Sequence, residues 1–175
     1  MENTVLKAME ERRSIRKYKS VQVEEEALQA ILRAGTYAAT GMNKQSPIMV
    51  VVQDEETREQ LRKMNAGIMG NPDADPFYGA PTIIIVLADN NVSTHVEDGS
   101  LVMGNLMLAA HAVGVDSCWI HRAKQEFDSE EGKALLAKWG IDGECYEGVG
   151  HCILGYRDCE YPDAKPRKEN YIYRV

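Results

Sequence analysis

Positive charge is concentrated in two short segments of an otherwise acidic chain. Residues 12–19 read R-R-S-I-R-K-Y-K and residues 165–168 read K-P-R-K, whereas the whole chain of 175 residues carries a formal net charge of −7. Arginine offers a fork of N–H donors and serine offers a neutral hydroxyl, a combination that suits the oxygens of a phosphate monoester. We therefore predict that the two segments meet in the fold and bind the phosphate of a cofactor.

Other chemistries find less support in the residue pattern. Gly148-Val149-Gly150 precedes a predicted strand instead of joining a strand to a helix, so it is not a dinucleotide fingerprint. The histidines and cysteines lack the spacing of known zinc motifs, and we expect no metal site. His111 fits a hydrogen-bonded core residue, and Cys118 lies in an apolar segment without a nearby base. The competing interpretation of the arginines is a solvated basic patch that binds polyanions.

Composition indicates an ordinary globular protein. The chain is 44% hydrophobic and 27% charged, and no apolar run is long enough to span a membrane. A pI near 5.2 argues against general nucleic-acid binding. The four cysteines form no C-x-x-C pair, which favours reduced thiols. Because no apolar signal region is present near the N-terminus, we expect a cytoplasmic location. The length of 175 residues predicts a single domain over residues 1–175.

Helices and strands alternate along the chain, which by pattern alone fits either an α/β fold or a mixed sheet covered by helices. Thr4 and Asp54 are predicted to cap helices, and Gly35 is predicted to end one. The predicted helices cover residues 4–11, 24–34, 54–64, 98–113 and 128–140, and the predicted strands cover residues 48–52, 83–87, 115–120 and 151–156.

Three further segments carry functional hypotheses. Residues 65–81 are rich in Gly, Asn, Asp and Pro, which indicates either an exposed connection or a lid over a flat substrate. The helix predicted at residues 98–113 is apolar nearly all round, so it should lie at the centre of the fold or in a subunit interface. The polar tail beyond Arg157 contains several tyrosines and is predicted to pack on another surface, such as a partner subunit.

Four segments, taken in order, resemble the nitroreductase family of flavin enzymes. Members carry R-R-S-x-R near the N-terminus, then a small-residue loop with N-x-Q, then an apolar helix ending in L-A-A-x-x-x-G before a strand with S-C-W-I, and finally L-G-Y followed by K-P-R. The corresponding residues here are 12–16, 40–45, 108–120, 154–156 and 165–167. Order and spacing hold from about residue 5 to residue 168, so the resemblance covers almost the whole chain.

The resemblance implies an α+β fold, with a mixed, largely antiparallel sheet flanked by helices, in an intertwined homodimer. It implies that FMN binds at the subunit interface and that each site is built from both subunits. It also implies a ping-pong reaction in which NAD(P)H gives a hydride to flavin N5 and a flat, electron-poor acceptor, such as a nitroaromatic or a quinone, is then reduced. Relatives that use the same site for dehalogenation, enone reduction or flavin breakdown supply the alternative reactions.

The resemblance also assigns roles by position. It implies that the phosphate is bound by Arg12, Ser14, Lys165 and Arg167. It implies that the ribityl chain and the pyrimidine edge of the ring are contacted by Arg13 and Arg16. The N-x-Q loop, contributed by the partner subunit, supplies Thr40, Gly41, Asn43 and Gln45. The stretch that lines one face of the ring and aims a backbone N–H at flavin N5 comprises Ser117, Cys118, Trp119, Ile120 and His121.

Two positions depart from the family pattern. Ser46-Pro47 stands where the family often has Pro-Trp, which changes the packing of the N-x-Q loop. His121-Arg122 stands where a glycine is common, which is expected to bring a bulky, charged pair to the rim of the active site.

Overall fold

The computed structural model describes residues 3–175 and contains one sheet with helices on both faces. The helices are α1 (Thr4–Glu11), α2 (Glu25–Thr36), α3 (Glu55–Met69), α4 (His95–Ala112), α5 (Ala123–Asp128) and α6 (Glu130–Lys138), with a short 3-10 helix at Gly41–Asn43. The strands are β1 (Pro47–Val52), β2 (Thr82–Asp89), β3 (Asp116–Ile120) and β4 (Tyr146–Gly155).

The sheet has the strand order β1-β2-β4-β3, and each neighbouring pair of these strands is antiparallel. A parallel bridge between Ser14 and Ser117 adds the N-terminal segment to the outer edge of β3. The bridge is isolated and lies outside the four named strands, which pair in antiparallel fashion only. The predicted α+β fold with a largely antiparallel sheet is therefore confirmed.

Two apolar layers enclose the central strand β2. Ile83, Ile85 and Leu87 face one layer, which includes residues of α3, α5 and α6. Ile84 and Val86 face the other layer, which includes residues of α2 and α4. Successive strand residues point to opposite faces of a sheet, so a strand covered on both sides is apolar at every position. The continuous apolar run in the sequence has this physical cause.

Helix α4 packs on the sheet and on α2 through Val102, Met103 and Leu106, which are buried. Its other face is open within the chain, because Leu101 is 50% exposed. One face of α4 thus lies in the core, as predicted, whereas the alternative position in a subunit interface stays a prediction for the other face. Within residues 3–175, no helix combines the length and apolar character needed to cross a lipid bilayer.

Several predicted boundaries are wrong. Asn3, and not Thr4, caps α1, since its side-chain oxygen accepts from the N–H groups of Val5 and Leu6. Gly35 does not end α2; it lies inside the helix, where a Cβ atom would approach Met49 Sδ to 2.8 Å. A glycine here lets α2 sit close to β1.

The segment 65–81 is not one long loop. Its first five residues extend α3 to Met69, and Asn65 is fully buried. The remaining connection is anchored by Phe77, which is 3% exposed and packs in the core next to the ring of His151, with ring centroids 5.2 Å apart. Residues 65–69 therefore do not form part of a substrate lid, because they belong to a packed helix.

Candidate functional site

The N-terminal basic segment is held between β3 and the C-terminal tail. The N–H of Ile15 donates to the carbonyl oxygen of Ser117 at 3.1 Å, and the N–H of Lys19 donates to that of Tyr156 at 2.8 Å. Ile15 is fully buried and Tyr18 nearly so, whereas Arg12 is only half-buried and Arg16 is exposed. The apolar anchors fix the backbone, so the arginines are presented from a rigid segment.

The two basic segments line one cavity, as the sequence predicts. The cavity has a volume of about 740 Å³, within the roughly 300–1,000 Å³ typical of small-molecule sites. Five cationic and two acidic side chains contribute to its wall, so the wall is cationic overall. Its lining residues are Met9, Glu10, Arg12, Arg13, Ser14, Arg16, Pro162, Asp163, Ala164, Lys165 and Arg167.

Arg12 carries an unsatisfied donor in this cavity wall. Its Nη1 atom is buried and has no hydrogen-bond partner among residues 3–175. Arg13 differs in part: its Nη1 donates to the carbonyl oxygens of Glu10 at 2.7 Å and Arg12 at 2.9 Å, but its buried Nε also has no partner among the described residues. A buried donor without a partner costs about 1–3 kcal/mol, and more for a charged group. An anion bound beside Arg12 would remove that cost, so the residues present fit a phosphate group.

The tail supplies the opposite wall. Arg167 Nη2 donates to the carbonyl oxygen of Lys165 at 2.7 Å, and both side chains are exposed. In the described part of the chain, none of the five cavity cations forms an ion pair with an acidic side chain. Their charge is therefore available to a ligand.

Strand β3 lies directly behind the basic segment. Ser117, Cys118 and Ile120 are buried, Trp119 is half-buried and His121 is exposed. Burial raises the pKa of the Cys118 thiol against the lowering effects of Arg16, Ser14 and Arg12. Cys118 is thus a protonated core residue, which agrees with its rejection as a nucleophile.

The turn after β3 explains the departure at His121-Arg122. Arg122 has φ of +80°, in the left-handed region that favours glycine. Its Nε donates to Asn65 Oδ1 at 2.8 Å, and Asn65 Nδ2 donates to the carbonyl oxygen of His121 at 2.9 Å and to Glu126. The guanidinium is therefore turned towards α3, and Asn65 stabilises a backbone conformation that an arginine adopts only under strain.

The N-x-Q loop is organised by a buried carboxylate. Asp98 accepts from the Gly41 N–H at 2.9 Å, from Ser46 Oγ at 2.8 Å and from Thr94 Oγ1 at 3.2 Å. Burial opposes ionisation of Asp98, but these hydrogen bonds outweigh it and lower the pKa of the carboxyl group. Residue 98 was predicted only as the start of a helix, and no local signal marked its role.

Thr40, Asn43 and Gln45 are mutually connected in this loop. The N–H of Gln45 donates to Thr40 Oγ1 at 3.1 Å, and Gln45 Nε2 donates to Asn43 Oδ1 at 3.3 Å. Asn43 and Gln45 both have positive φ values, of 53° and 51°. The loop therefore has a defined, strained backbone.

Within one chain the N-x-Q loop is remote from the basic cavity. The loop leads into β1, whereas the cavity adjoins β3, and these strands form opposite edges of the sheet. Three strand spacings of ~4.8 Å separate the two edges by roughly 14 Å. None of Thr40, Gly41, Asn43 and Gln45 lines the cavity. The structure thus unites the segments 12–16, 117–118 and 165–167, but not residues 40–45.

The described geometry is an α+β fold with a cationic cleft at one sheet edge, and comparison with known proteins assigns its family. The family model described as the nitroreductase family matches residues 9–156. A protein of Archaeoglobus fulgidus, named as an NADH dehydrogenase/NAD(P)H nitroreductase, is 33% identical over 141 residues, which cover 78% of this chain and 76% of that protein. The chain belongs to the nitroreductase family, an oxidoreductase family, and the predicted family and enzyme class are confirmed.

Solved structures agree over the full length. A nitroreductase with bound FMN from Bacteroides fragilis NCTC 9343 has a TM-score of 0.89 and 28% identity, covering 99% of this chain and 100% of that chain. A nitroreductase with bound FMN from Desulfitobacterium hafniense DCB-2 has a TM-score of 0.88 and 25% identity, with complete coverage of both chains.

Proposed function

We propose that residues 1–175 form one FMN-binding domain of a homodimeric oxidoreductase that takes a hydride from NAD(P)H and reduces a flat, electron-poor acceptor, such as a nitroaromatic or a quinone. The observation that carries this proposal is the cationic cavity with the unsatisfied Arg12 donor. Two similar structures, at 28% and 25% identity, are described with bound FMN.

The phosphate group is assigned to Arg12, Ser14, Lys165 and Arg167. Each charge-assisted hydrogen bond contributes about 1.5–3 kcal/mol, so several of them retain the cofactor through many turnovers. Arg13 has one guanidinium nitrogen, Nη1, bonded to the carbonyl oxygens of Glu10 and Arg12 at the end of α1. It therefore acts mainly as a fixed positive charge beside the cavity.

The open edge of β3 supplies backbone donors. The carbonyl oxygen of Ser117 points outwards to the Ile15 N–H. In an antiparallel strand, backbone groups of alternate residues point to the same side, so the N–H of Trp119 also faces this edge. We assign the contact to flavin N5 to this stretch, which includes Cys118, Ile120 and His121.

Bound FMN would supply the chemistry of the reaction, namely hydride acceptance and two-electron transfer to the acceptor. The protein contributes position and electrostatics. Arg13 and Arg16, assigned to the ribityl chain and the pyrimidine edge, would stabilise the negative charge that develops on reduction. No side-chain acid or base of this chain is required to receive the hydride.

The homodimer is supported by two features that a single chain leaves incomplete. The N-x-Q loop lies far from the cavity, and a partner's loop would complete the site. A largely apolar groove of about 350 Å³ between α1 and α4 is open to solvent. Its lining residues are Thr4, Val5, Ala8, Ala34, Asn105, Leu108, Ala109 and Ala112. Exposed apolar surface is a common feature of protein interfaces and supports this assignment.

The first test is the cofactor. Purified protein should be yellow, and the flavin released by denaturation should be FMN. Without oxygen, the holoprotein should oxidise one equivalent of NADH or NADPH, assayed separately, and should turn over further only when an acceptor is added. A panel of nitroaromatics, quinones, enones and halogenated aromatics separates the main proposal from the alternative reactions. A colourless protein that takes up no added FMN and binds oligonucleotides in a salt-dependent manner would instead support a polyanion-binding patch.

The shared site is tested by complementation. Arg12→Ala and Asn43→Ala each damage every site of their own homodimers. A heterodimer of the two variants has one site with both defects and one site with neither, if each site takes Arg12 from one subunit and Asn43 from the other. Half of its sites should then bind FMN as tightly as wild type. A heterodimer in which all sites remain weak contradicts a site built from both subunits.

A further inference from the structure

Tyr161 fastens the C-terminal tail to the N-terminal basic segment. The N–H of Arg13 donates to the Tyr161 hydroxyl oxygen at 3.1 Å, and the hydroxyl donates to the carbonyl oxygen of Glu11 at 3.0 Å. The ring stacks on His111 with centroids 6.3 Å apart, and the guanidinium of Arg157 lies 5.0 Å from the ring centre. Both the hydroxyl and the ring are therefore fixed.

The hydroxyl occupies a point where backbone groups need partners. Glu11 is the last residue of α1, so its carbonyl oxygen has no partner within the helix. Arg13 follows two residues later, and its N–H also lies outside the helix. One hydroxyl satisfies both groups, which links the helix end, the arginine segment and the tail at a single atom.

Beyond Tyr161 the tail is held by little else. Among the described residues, the only hydrogen bond of residues 162–167 is the internal one between Arg167 and Lys165. These residues nevertheless form one wall of the cationic cavity. Lys165 is four residues from Tyr161, a reach of at most about 14 Å, and Pro162 restricts the first of these residues. The position of the wall therefore depends on Tyr161.

We propose that Tyr161 is a positioning residue for cofactor-phosphate binding: its hydroxyl holds Lys165 and Arg167 opposite Arg12 and Ser14. The proposal rests on the proposed function, in which these four side chains bind the phosphate of FMN. It assigns to Tyr161 no contact with the cofactor itself. The effect of losing the hydroxyl should therefore depend on the phosphate and on the tail cations.

The experiment compares FMN with riboflavin, which lacks the phosphate. Wild-type holoprotein, Tyr161→Phe and the matched control Tyr173→Phe are dialysed against mixtures of the two flavins, and the bound flavins are quantified. Tyr173 is 81% exposed, so its hydroxyl reports the effect of a tail substitution alone. Tyr161→Phe should reduce the preference for FMN by about tenfold, the equivalent of one charge-assisted contact, with riboflavin affinity unchanged. Tyr173→Phe should match wild type.

Three results would overturn the proposal in distinguishable ways. Equal losses of FMN and riboflavin would assign Tyr161 a general structural role. An unchanged preference in Tyr161→Phe would show that the hydroxyl does not position the wall. Wild-type protein without any preference for FMN would reject the phosphate site itself, and with it the proposed function.

A double-mutant cycle provides an independent readout. Lys165→Ala and Arg167→Ala together remove the side chains through which Tyr161 is proposed to act. In that background, Tyr161→Phe should change the preference for FMN by less than about twofold, because coupled residues are not additive. A full tenfold effect in that background would mean that the hydroxyl acts by another route.

Discussion

Arg12→Ala should weaken FMN binding without destabilising the flavin-free protein. The guanidinium of Arg12 lines the cavity, and its buried Nη1 has no partner in the described chain. A bound phosphate would satisfy this donor through a charge-assisted hydrogen bond. Loss of about 1.5–3 kcal/mol corresponds to a roughly ten- to 150-fold rise in Kd.

The flavin-free protein should respond in the opposite sense. Without an anion, the buried Nη1 is a desolvated donor, so its removal relieves a cost instead of breaking a contact. The flavin-free variant is therefore expected to melt at the same temperature as wild type or higher. With excess FMN the order should reverse, because a ligand stabilises the fold according to its concentration relative to Kd.

The assay combines FMN titration by fluorescence quenching with thermal melting at several FMN concentrations. Lys19→Ala is the matched control, since its side chain is exposed and only its backbone N–H is engaged, with Tyr156. Its Kd should stay within about twofold of wild type, as for most exposed charges. Equal flavin loss in both variants would refute the reasoning. So would a flavin-free Arg12→Ala protein whose free energy of unfolding falls by as much as its free energy of FMN binding.

Three further predictions concern the surroundings of the site. Arg122→Ala should destabilise the fold by about 1–3 kcal/mol in urea unfolding, and Arg122→Gly by about 1 kcal/mol less, because only glycine suits the φ of +80°; equal values would contradict strain there. Gly150→Ala should lower the free energy of unfolding by about 1–3 kcal/mol, because its Cβ would meet the Trp119 ring. Gly67→Ala, with open space around it, should raise the free energy of unfolding by about 0.5–1 kcal/mol. A neutral Gly150→Ala would show that the ring shifts freely. The pKa of Asp98 is lowered in the folded state, so its contribution to stability is present above the ordinary value of about 3.9 and is lost as pH falls below it. Asp98→Asn should therefore flatten the fall of Tm in that acidic range, and parallel curves for variant and wild type would exclude this linkage.

The sequence pattern alone predicted an element correctly where the residues of that element make its burial evident. The run at Ile83–Leu87 could be predicted as a buried strand because both of its faces are covered. Helix α5 could not be predicted, because its six residues provide less than two turns of periodicity. The first half of β4 was missed because Gly148 and Gly150 interrupt the pattern. Those glycines are required by neighbours, the backbone of Ala123 and the ring of Trp119.

Tertiary contacts decided the remaining positions. Asn65 favours a loop by composition, but its hydrogen bonds to Arg122 and His121 lie 57 and 56 residues away and keep it in a helix. The basic segments of the site were visible as a charge anomaly, and their roles came from a resemblance. Asp98 carried no such signal, because its partner Gly41 is 57 residues distant in the chain. Tyr161 belongs to the tail that was predicted to pack on another surface, but its partner Arg13, 148 residues distant, could not be identified from the sequence.

That separation makes the proposed cofactor site a property of the complete fold. Its two walls come from segments whose fastening, between Arg13 and Tyr161, closes a loop of 148 residues. Contacts of such long range form late in folding, after local helices and hairpins. A partly folded chain therefore has no cavity in which to retain a flavin, and release of the tail alone would open it. Quenching of flavin fluorescence should consequently report the assembled fold as a whole, and flavin supply should raise the fraction of chains that stay folded.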